Sequence, residues 1–206
     1  MSRIQDSLRN IKNAHGQAKK PSSSTGDSAL GRGAVPNAEM PRSILSVPKR
    51  QRAILDLDHL TRSHIIHDDL APDAVGRYKM LRTRVLQKMD KGDLRILAVT
   101  APHEKAGKTI TAINLAVTIA RSGDRSVYLL DLDLRKPGIA RSLGITDIAV
   151  GIGDYLSGTQ KIEDVLWSIG VDNLFVVPGQ GRFENSSELL TNSRMIELIS
   201  LIRSDP

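Results

Sequence analysis

The sequence predicts an α/β fold, a parallel sheet flanked by helices, and three observations carry that expectation. An apolar run at Ile96, Leu97, Ala98 and Val99 is short and bounded by polar residues, as a strand buried on both faces should be. Ile110, Ile113, Leu115, Ala116, Ile119 and Ala120 then recur at helical spacing until Ser122, Gly123 and Asp124 stop the pattern. A second apolar run, residues 127–130, ends on Asp131. Strand, helix and strand make one βαβ unit.

The residues at the turns of this unit are chemically pointed. Gly107, Lys108 and Thr109 open the helix, where backbone N–H groups and the helix dipole favour an anion. Glycine lets the backbone come close, lysine can reach phosphates, and a threonine hydroxyl can ligate Mg²⁺, the division of labour in a phosphate-binding loop. The full pattern also wants glycine at position 102, where this chain has Pro102. The position of the triplet, between a buried-type strand and an amphipathic helix, is the context that such a loop requires. Asp131, Leu132, Asp133, Leu134 and Arg135 add a second signal. A parallel strand would carry Asp131 to the sheet edge where α/β folds bind ligands. Two carboxylates there could hold Mg²⁺, and one could take the proton of an attacking hydroxyl. The structural alternative is that Asp131 caps a following helix while Asp133 and Arg135 pair at the surface.

Gly107-Lys108-Thr109, an apolar run, and then Asp131, Asp133 and Arg135 in the order Asp-x-Asp-x-Arg resemble the Walker A and Walker A′ motifs of bacterial tyrosine kinases, the autokinases of capsule and exopolysaccharide export. Tyr78, Lys79, Met80, Leu81 and Arg82 look like the helix that precedes the first strand in that family. Gly151-Ile152-Gly153-Asp154, Val177-Pro178-Gly179 and Asn185-Ser186-Ser187-Glu188 follow in the family's order, so the likeness runs through residues 72–203.

The resemblance implies a P-loop NTPase-type fold that uses ATP and Mg²⁺. Its nucleotide-binding positions would be Ala106, Gly107, Lys108, Thr109, Ile110 and Arg135; its catalytic ones Lys108, Asp131 and Asp133; its metal ligands Thr109, Asp131 and Asp133. It further implies protein-tyrosine autokinase activity, a transmembrane polysaccharide co-polymerase that regulates chain length as partner, self-association, no nucleic acid, and a cytoplasmic chain at the inner face of the plasma membrane through its partner. Two other functions fit the same residues: a catalytically impaired nucleotide-binding regulator of such a membrane partner, and a partitioning-type ATPase. The latter is disfavoured because that group's additional loop lysine falls at His103.

The chain departs from the family in several places. The family's Glu-x-x-Arg-x-x-Arg helix, which joins protomers into a ring, has Gly76, Lys79 and Arg82 at the matching positions, so the carboxylate is lost and lysine cannot reproduce arginine's two-pronged fork. Relatives usually have glycines in the loop where His103, Glu104, Lys105 and Ala106 stand here. Their side chains make positive φ costly, and Glu104 brings negative charge towards the phosphates. The Walker B strand and the tyrosine-rich tail have no counterpart before Pro206, so the sequence is expected to be either a truncated form or a minimal relative.

Composition sets the remaining bounds. With 3% aromatic residues the core is left to Leu, Ile, Val and Ala. The absence of cysteine excludes a disulfide framework and a thiol nucleophile. Residues 1–53 carry ten Lys/Arg against three Asp/Glu, a balance of +7, while the rest is close to neutral, so the high pI says little about nucleic-acid binding by the fold. We divide the chain into a basic, largely disordered tail and linker, residues 1–71, and a partial kinase or ATPase domain, residues 72–206. Ile4, Leu8 and Ile11 give the first fourteen residues an amphipathic helical pattern, and residues 19–42 have linker composition. His59, His64 and His67 near Asp58, Asp68 and Asp69 match no zinc spacing.

A helix is expected from Pro72 and Asp73 to Lys91 and Gly92, with Val75, Tyr78, Met80, Leu81, Val85, Leu86 and Met89 apolar. Beyond Pro137 the pattern gives short helices at 138–143, 154–156 and 162–167, a third strand at 173–177, a loop at 182–187 and a helix at 188–203.

Overall fold

In the computed structural model residues 51–67 and 72–204 are described, and the expected N-terminal amphipathic helix and linker lie outside them. Helices α1 (Leu57–Arg62) and α2 (Pro72–Lys91) come first, followed by α3 (Lys108–Ala120) and strand β1 (Val127–Leu130). Then come α4 (Ile139–Leu143), α5 (Ile152–Leu156), α6 (Ile162–Val165), β2 (Trp167–Ser168), β3 (Leu174–Val177), α7 (Ser186–Thr191) and α8 (Ser193–Ser204).

The sheet is mixed, with strand order β1-β3-β2. β1 runs parallel to β3, with Val127 opposite Leu174 and Leu130 opposite Val177, and β2 runs antiparallel to β3. Alternation along the strands divides the interior in two. Leu129, Leu174 and Val176 face one core with Ile113, Ala116, Val117 and Ala120 of α3 and Ile139 and Leu143 of α4. Val177, with Tyr128, Leu130 and Phe175 beside it, faces a second core built by Ile152, Leu156, Val165, Leu189 and Leu198. Tyr128 and Phe175, neighbours in register, stack with ring centroids 5.1 Å apart.

The expected strand at residues 96–99 does not form. The segment makes no ladder with the three described strands, and Leu94, Ile96 and Leu97 are 54%, 47% and 46% exposed. An apolar run reports a preference for burial on two faces and not which neighbour supplies the hydrogen bonds.

Three smaller expectations also change. The helix expected at 162–167 stops at Val165, and Trp167 belongs to β2. The C-terminal helix begins two residues earlier than expected and is broken at Asn192, whose extended backbone (ψ 169°) separates α7 from α8 while its side chain accepts from the Met195 N–H at 3.1 Å. On α2, Met80 and Leu81 are exposed, and no residue of the helix is fully buried.

Residues 51–67, which precede the helix at which the sequence places the domain boundary, contribute Leu60, Ile65 and Ile66 to the first core. The Ala53 N–H donates to the Ser168 carbonyl at 2.9 Å, bringing this segment alongside β2. Buried Asn114 of α3 holds it from the other side: its Oδ1 accepts from the Ile66 N–H at 2.8 Å, and its Nδ2 donates to the His64 carbonyl at 2.9 Å. The histidines here have structural uses. His59 Nε2 donates to the Arg141 carbonyl at 2.9 Å, and His67 Nε2 lies 2.8 Å from the Thr61 hydroxyl.

Candidate functional site

The site lies where the end of β1 meets the start of α3, and each side reaches it for a local reason. Past β1 the Asp131 N–H still donates to the Val177 carbonyl at 3.0 Å, so the strand pairing carries to that residue. Leu132 and Leu134 then turn into the second core, Leu134 to 3% exposure. The alternation that buries the two leucines directs Asp131 and Asp133 away from that core.

On the other side, Gly107 is the N-cap of α3 in a left-handed conformation, φ 85°, that glycine adopts at no steric cost. The first turn of a helix leaves its N–H groups without intrahelical acceptors, here those of Lys108, Thr109 and Ile110. No acidic side chain occupies that turn, although acids are favoured there, so its positive end is uncompensated from within the helix. Ala106 is exposed, and Gly107, Lys108, Thr109 and Ile110 are half-buried.

The two sides meet through side chains. Lys108 Nζ is 3.1 Å from Asp133 Oδ2, with both side chains about a third exposed. The Asp133 N–H points at Asp131 Oδ1 from 3.4 Å, and Asp133 Oδ1 accepts from the Lys136 N–H at 3.0 Å. Asp131 Oδ2 accepts from the Gly138 and Ile139 N–H groups at 2.8 and 2.9 Å, so Asp131 caps α4 as the structural alternative anticipated. It does so while facing the site. A Cβ placed on Gly138 would lie 3.4 Å from Thr109 Oγ1, which puts the threonine hydroxyl beside the loop that Asp131 holds.

Electrostatics separate the two carboxylates. Burial pushes the Asp131 carboxyl above its ordinary value, against the N–H donors of Ile139, Gly138 and Asp133, and the Asp133 charge adds to the rise. Burial also acts upward on Asp133, but the hydrogen bond and charge of Lys108, with the N–H groups of Lys136 and Arg135, outweigh it and leave that carboxyl below its ordinary value. One group is therefore poised closer to proton exchange while the other stays an anion.

Arg135 is exposed and does not join the lysine: its Nε donates to Ser186 Oγ at 3.2 Å, tying the segment to the start of α7. Gly179, where a Cβ would come within 2.5 Å of Pro137 Cβ and 3.4 Å of Asp131 Cγ, is a positioning residue whose role the sequence does not reveal. Lys136 and Glu104 form an ion pair at 2.5 Å across the mouth of the site, and the sequence offers no sign of that pairing across thirty-two residues. Lys105 does take the costly positive φ, 59°, expected of a side chain in this loop. Arg82 is used within the chain, donating to the Thr118 carbonyl of α3 at 3.1 Å.

No protein-family model matches the sequence. Among curated proteins, the chain is 28% identical over 147 residues to tyrosine-protein kinase CpsD of Streptococcus agalactiae, covering 70% of this chain and 63% of that protein. It is 32% identical over 132 residues to tyrosine-protein kinase Etk of Escherichia coli K12, covering 64% of this chain and 18% of the relative. Among solved structures, the BceF tyrosine kinase domain superposes with a TM-score of 0.61 at 25% identity, over 77% of this chain and 68% of that one. The chain thus spans less than two thirds of either curated relative's length. In sequence the chain is similar to bacterial tyrosine-protein kinases, and in architecture to a solved kinase domain of that kind.

Proposed function

We propose that the chain is the nucleotide-binding part of an ATP-dependent protein-tyrosine autokinase that serves exopolysaccharide or capsule production. The observation that carries this reading is the Lys108–Asp133 contact at 3.1 Å, which joins the start of α3 to the carboxylate segment after β1. A phosphoryl donor needs positive charge and N–H donors at its phosphates, and the first turn of α3 with Lys108 offers both.

In this reading the N–H groups of residues 106–110 cradle the phosphates and Lys108 leaves Asp133 to hold them. The donor set, one hydroxyl and two carboxylates on adjacent segments, suits Mg²⁺, a hard cation that keeps several waters and takes few protein ligands. Thr109, Asp131 and Asp133 would hold the ion, which when bound neutralises charge on the phosphates. Asp131, with its raised proton affinity, is the group suited to accept the tyrosine hydroxyl proton. Arg135 sits close enough in sequence to reach phosphate on leaving Ser186.

The three tyrosines of this sequence are all packed: Tyr155 is buried with its hydroxyl directed at the Arg194 carbonyl, Tyr128 stacks on Phe175, and Tyr78 lies against the first core. The acceptor is therefore best supplied as a separate tyrosine peptide. Calorimetric titration with Mg²⁺-ADP should give saturable binding that Lys108→Ala abolishes, and Mg²⁺-ATP with the peptide should give phosphotyrosine. Binding without phosphotyrosine would favour the regulator reading, and fast ATP hydrolysis without it the partitioning-type ATPase. A cytoplasmic position beside a transmembrane co-polymerase, and assembly with further copies, belong to the same proposal. Among the described residues no helix is long and apolar enough to cross a membrane.

A further inference from the structure

Glu104 lies four residues before the lysine of the site, in a loop whose other charged side chain is Lys105. Its carboxylate reaches across the mouth to Lys136 Nζ at 2.5 Å. The Lys136 main chain is itself fixed, since its N–H donates to Asp133 Oδ1 while Asp133 Oδ2 takes Lys108. One carboxylate thus anchors the backbone of one lysine and the ammonium of the other, and Glu104 closes the circuit from the loop side. The hydrogen bond and charge of Lys136, followed by the charges of Lys108 and Lys105, hold the Glu104 carboxyl below its ordinary value. Glu104 therefore sits as an anion among three cations. Its pair with Lys136 is solvent-washed, the side chains being 63% and 69% exposed, so the contact is weak and open to exchange.

We propose that Glu104 is a built-in counter-anion of the phosphate site and that Lys136 is a phosphate-binding residue held in reserve, released to the ligand when a nucleoside triphosphate displaces the Glu104 carboxylate. The proposal rests on the nucleotide-binding reading above. A triphosphate carries more negative charge than one carboxylate, so in the same field it outcompetes Glu104 for Lys136. Nothing covalent changes. Two ion pairs, Glu104 with Lys136 and Asp133 with Lys108, are exchanged for contacts of both lysines with phosphate.

The test is calorimetric titration of the whole chain with a Mg²⁺-bound non-hydrolysable ATP analogue, the fold of each variant being checked by circular dichroism. Lys136→Met should weaken binding by about two- to fivefold and Glu104→Gln should tighten it by about two- to fivefold. The two should not add: in the Lys136→Met background the gain from Glu104→Gln should largely vanish, because the residue that Glu104 restrains is gone. Unchanged affinity in folded Lys136→Met overturns the proposal, as do additive effects, which would mean that Glu104 acts through bulk charge alone. Lys108→Ala keeps the two readings apart. If the wild type binds and Lys108→Ala does not, the nucleotide site stands and the other variants judge Lys136. If the wild type fails to bind, or Lys108→Ala binds as well as it does, the nucleotide-binding reading falls and takes this proposal with it.

Discussion

Asp131 does two jobs with one carboxylate, and its titration exposes the conflict between them. It caps α4 through Gly138 and Ile139, and burial raises its proton affinity. Below its ordinary value of 3.8 the carboxyl is protonated in both folded and unfolded chains. As pH rises, the unfolded chain loses this proton first, so stability falls through the interval up to the raised folded value. Asp133 and Glu104, held low in the fold, act in the opposite sense: their contribution is present above the unfolded value and is lost on acidification. Asp131→Asn removes only the first component. The stability of the variant relative to wild type should therefore increase with pH from about pH 4 upward, followed by urea unfolding at a series of pH values. A flat difference would mean that burial does not raise this group. The sequence made Asp131 and Asp133 legible as a pair because spacing of two in an extended segment keeps them on one side. It could not show which of them would be buried, since that depends on α4 folding back over Asp131 and on Gly179 making room for it.

At the scale of elements, α3 is more than the helix after the loop. Asn114 projects from it into the core and satisfies both the Ile66 N–H and the His64 carbonyl, holding a segment some fifty residues away in sequence. Truncation would leave the buried Ile66 N–H without this partner, at about 1–3 kcal/mol, and would remove the part-buried hydrogen bond to the His64 carbonyl, worth about 1 kcal/mol. Asn114→Ala should destabilise the fold by about 2–4 kcal/mol, read from denaturant midpoints, and Asn114→Asp should not restore it because the Nδ2 donor is lost. A loss under about 0.5 kcal/mol would show that the 64–66 segment is not fixed by this contact. The sequence hid the role well: an asparagine inside an apolar helical pattern reads as one polar interruption, and its partners lie in a stretch assigned to the tail. α2, β1, β3 and α3 itself were legible because their apolar periods are long or cleanly bounded. The break at Asn192 was not, because one polar residue among helix formers carries little weight against the pattern around it.

For the whole molecule, the segment at residues 94–99 marks the largest gap between sequence and structure. Its apolar composition promised a buried strand, whereas Leu94, Ile96 and Leu97 stand about half exposed beside a three-stranded sheet. An apolar segment of this kind is a hazard for pairing with other chains. Ile96→Lys combined with Leu97→Glu gives up about half the burial of two side chains and should cost about 1–3 kcal/mol of unfolding stability, while lowering light scattering at high protein concentration. A larger loss would mean that these side chains are covered in solution.

The strand order itself has a further consequence. β3 is flanked on both sides, by β1 and β2, and lends Leu174 and Val176 to one core and Val177 to the other. Neither core can melt without stripping side chains from that strand, so the two open together as a single cooperative unit. Stability spent anywhere in the fold is drawn from one common reserve, and the fraction of molecules in which Lys108 meets Asp133 rises and falls with it.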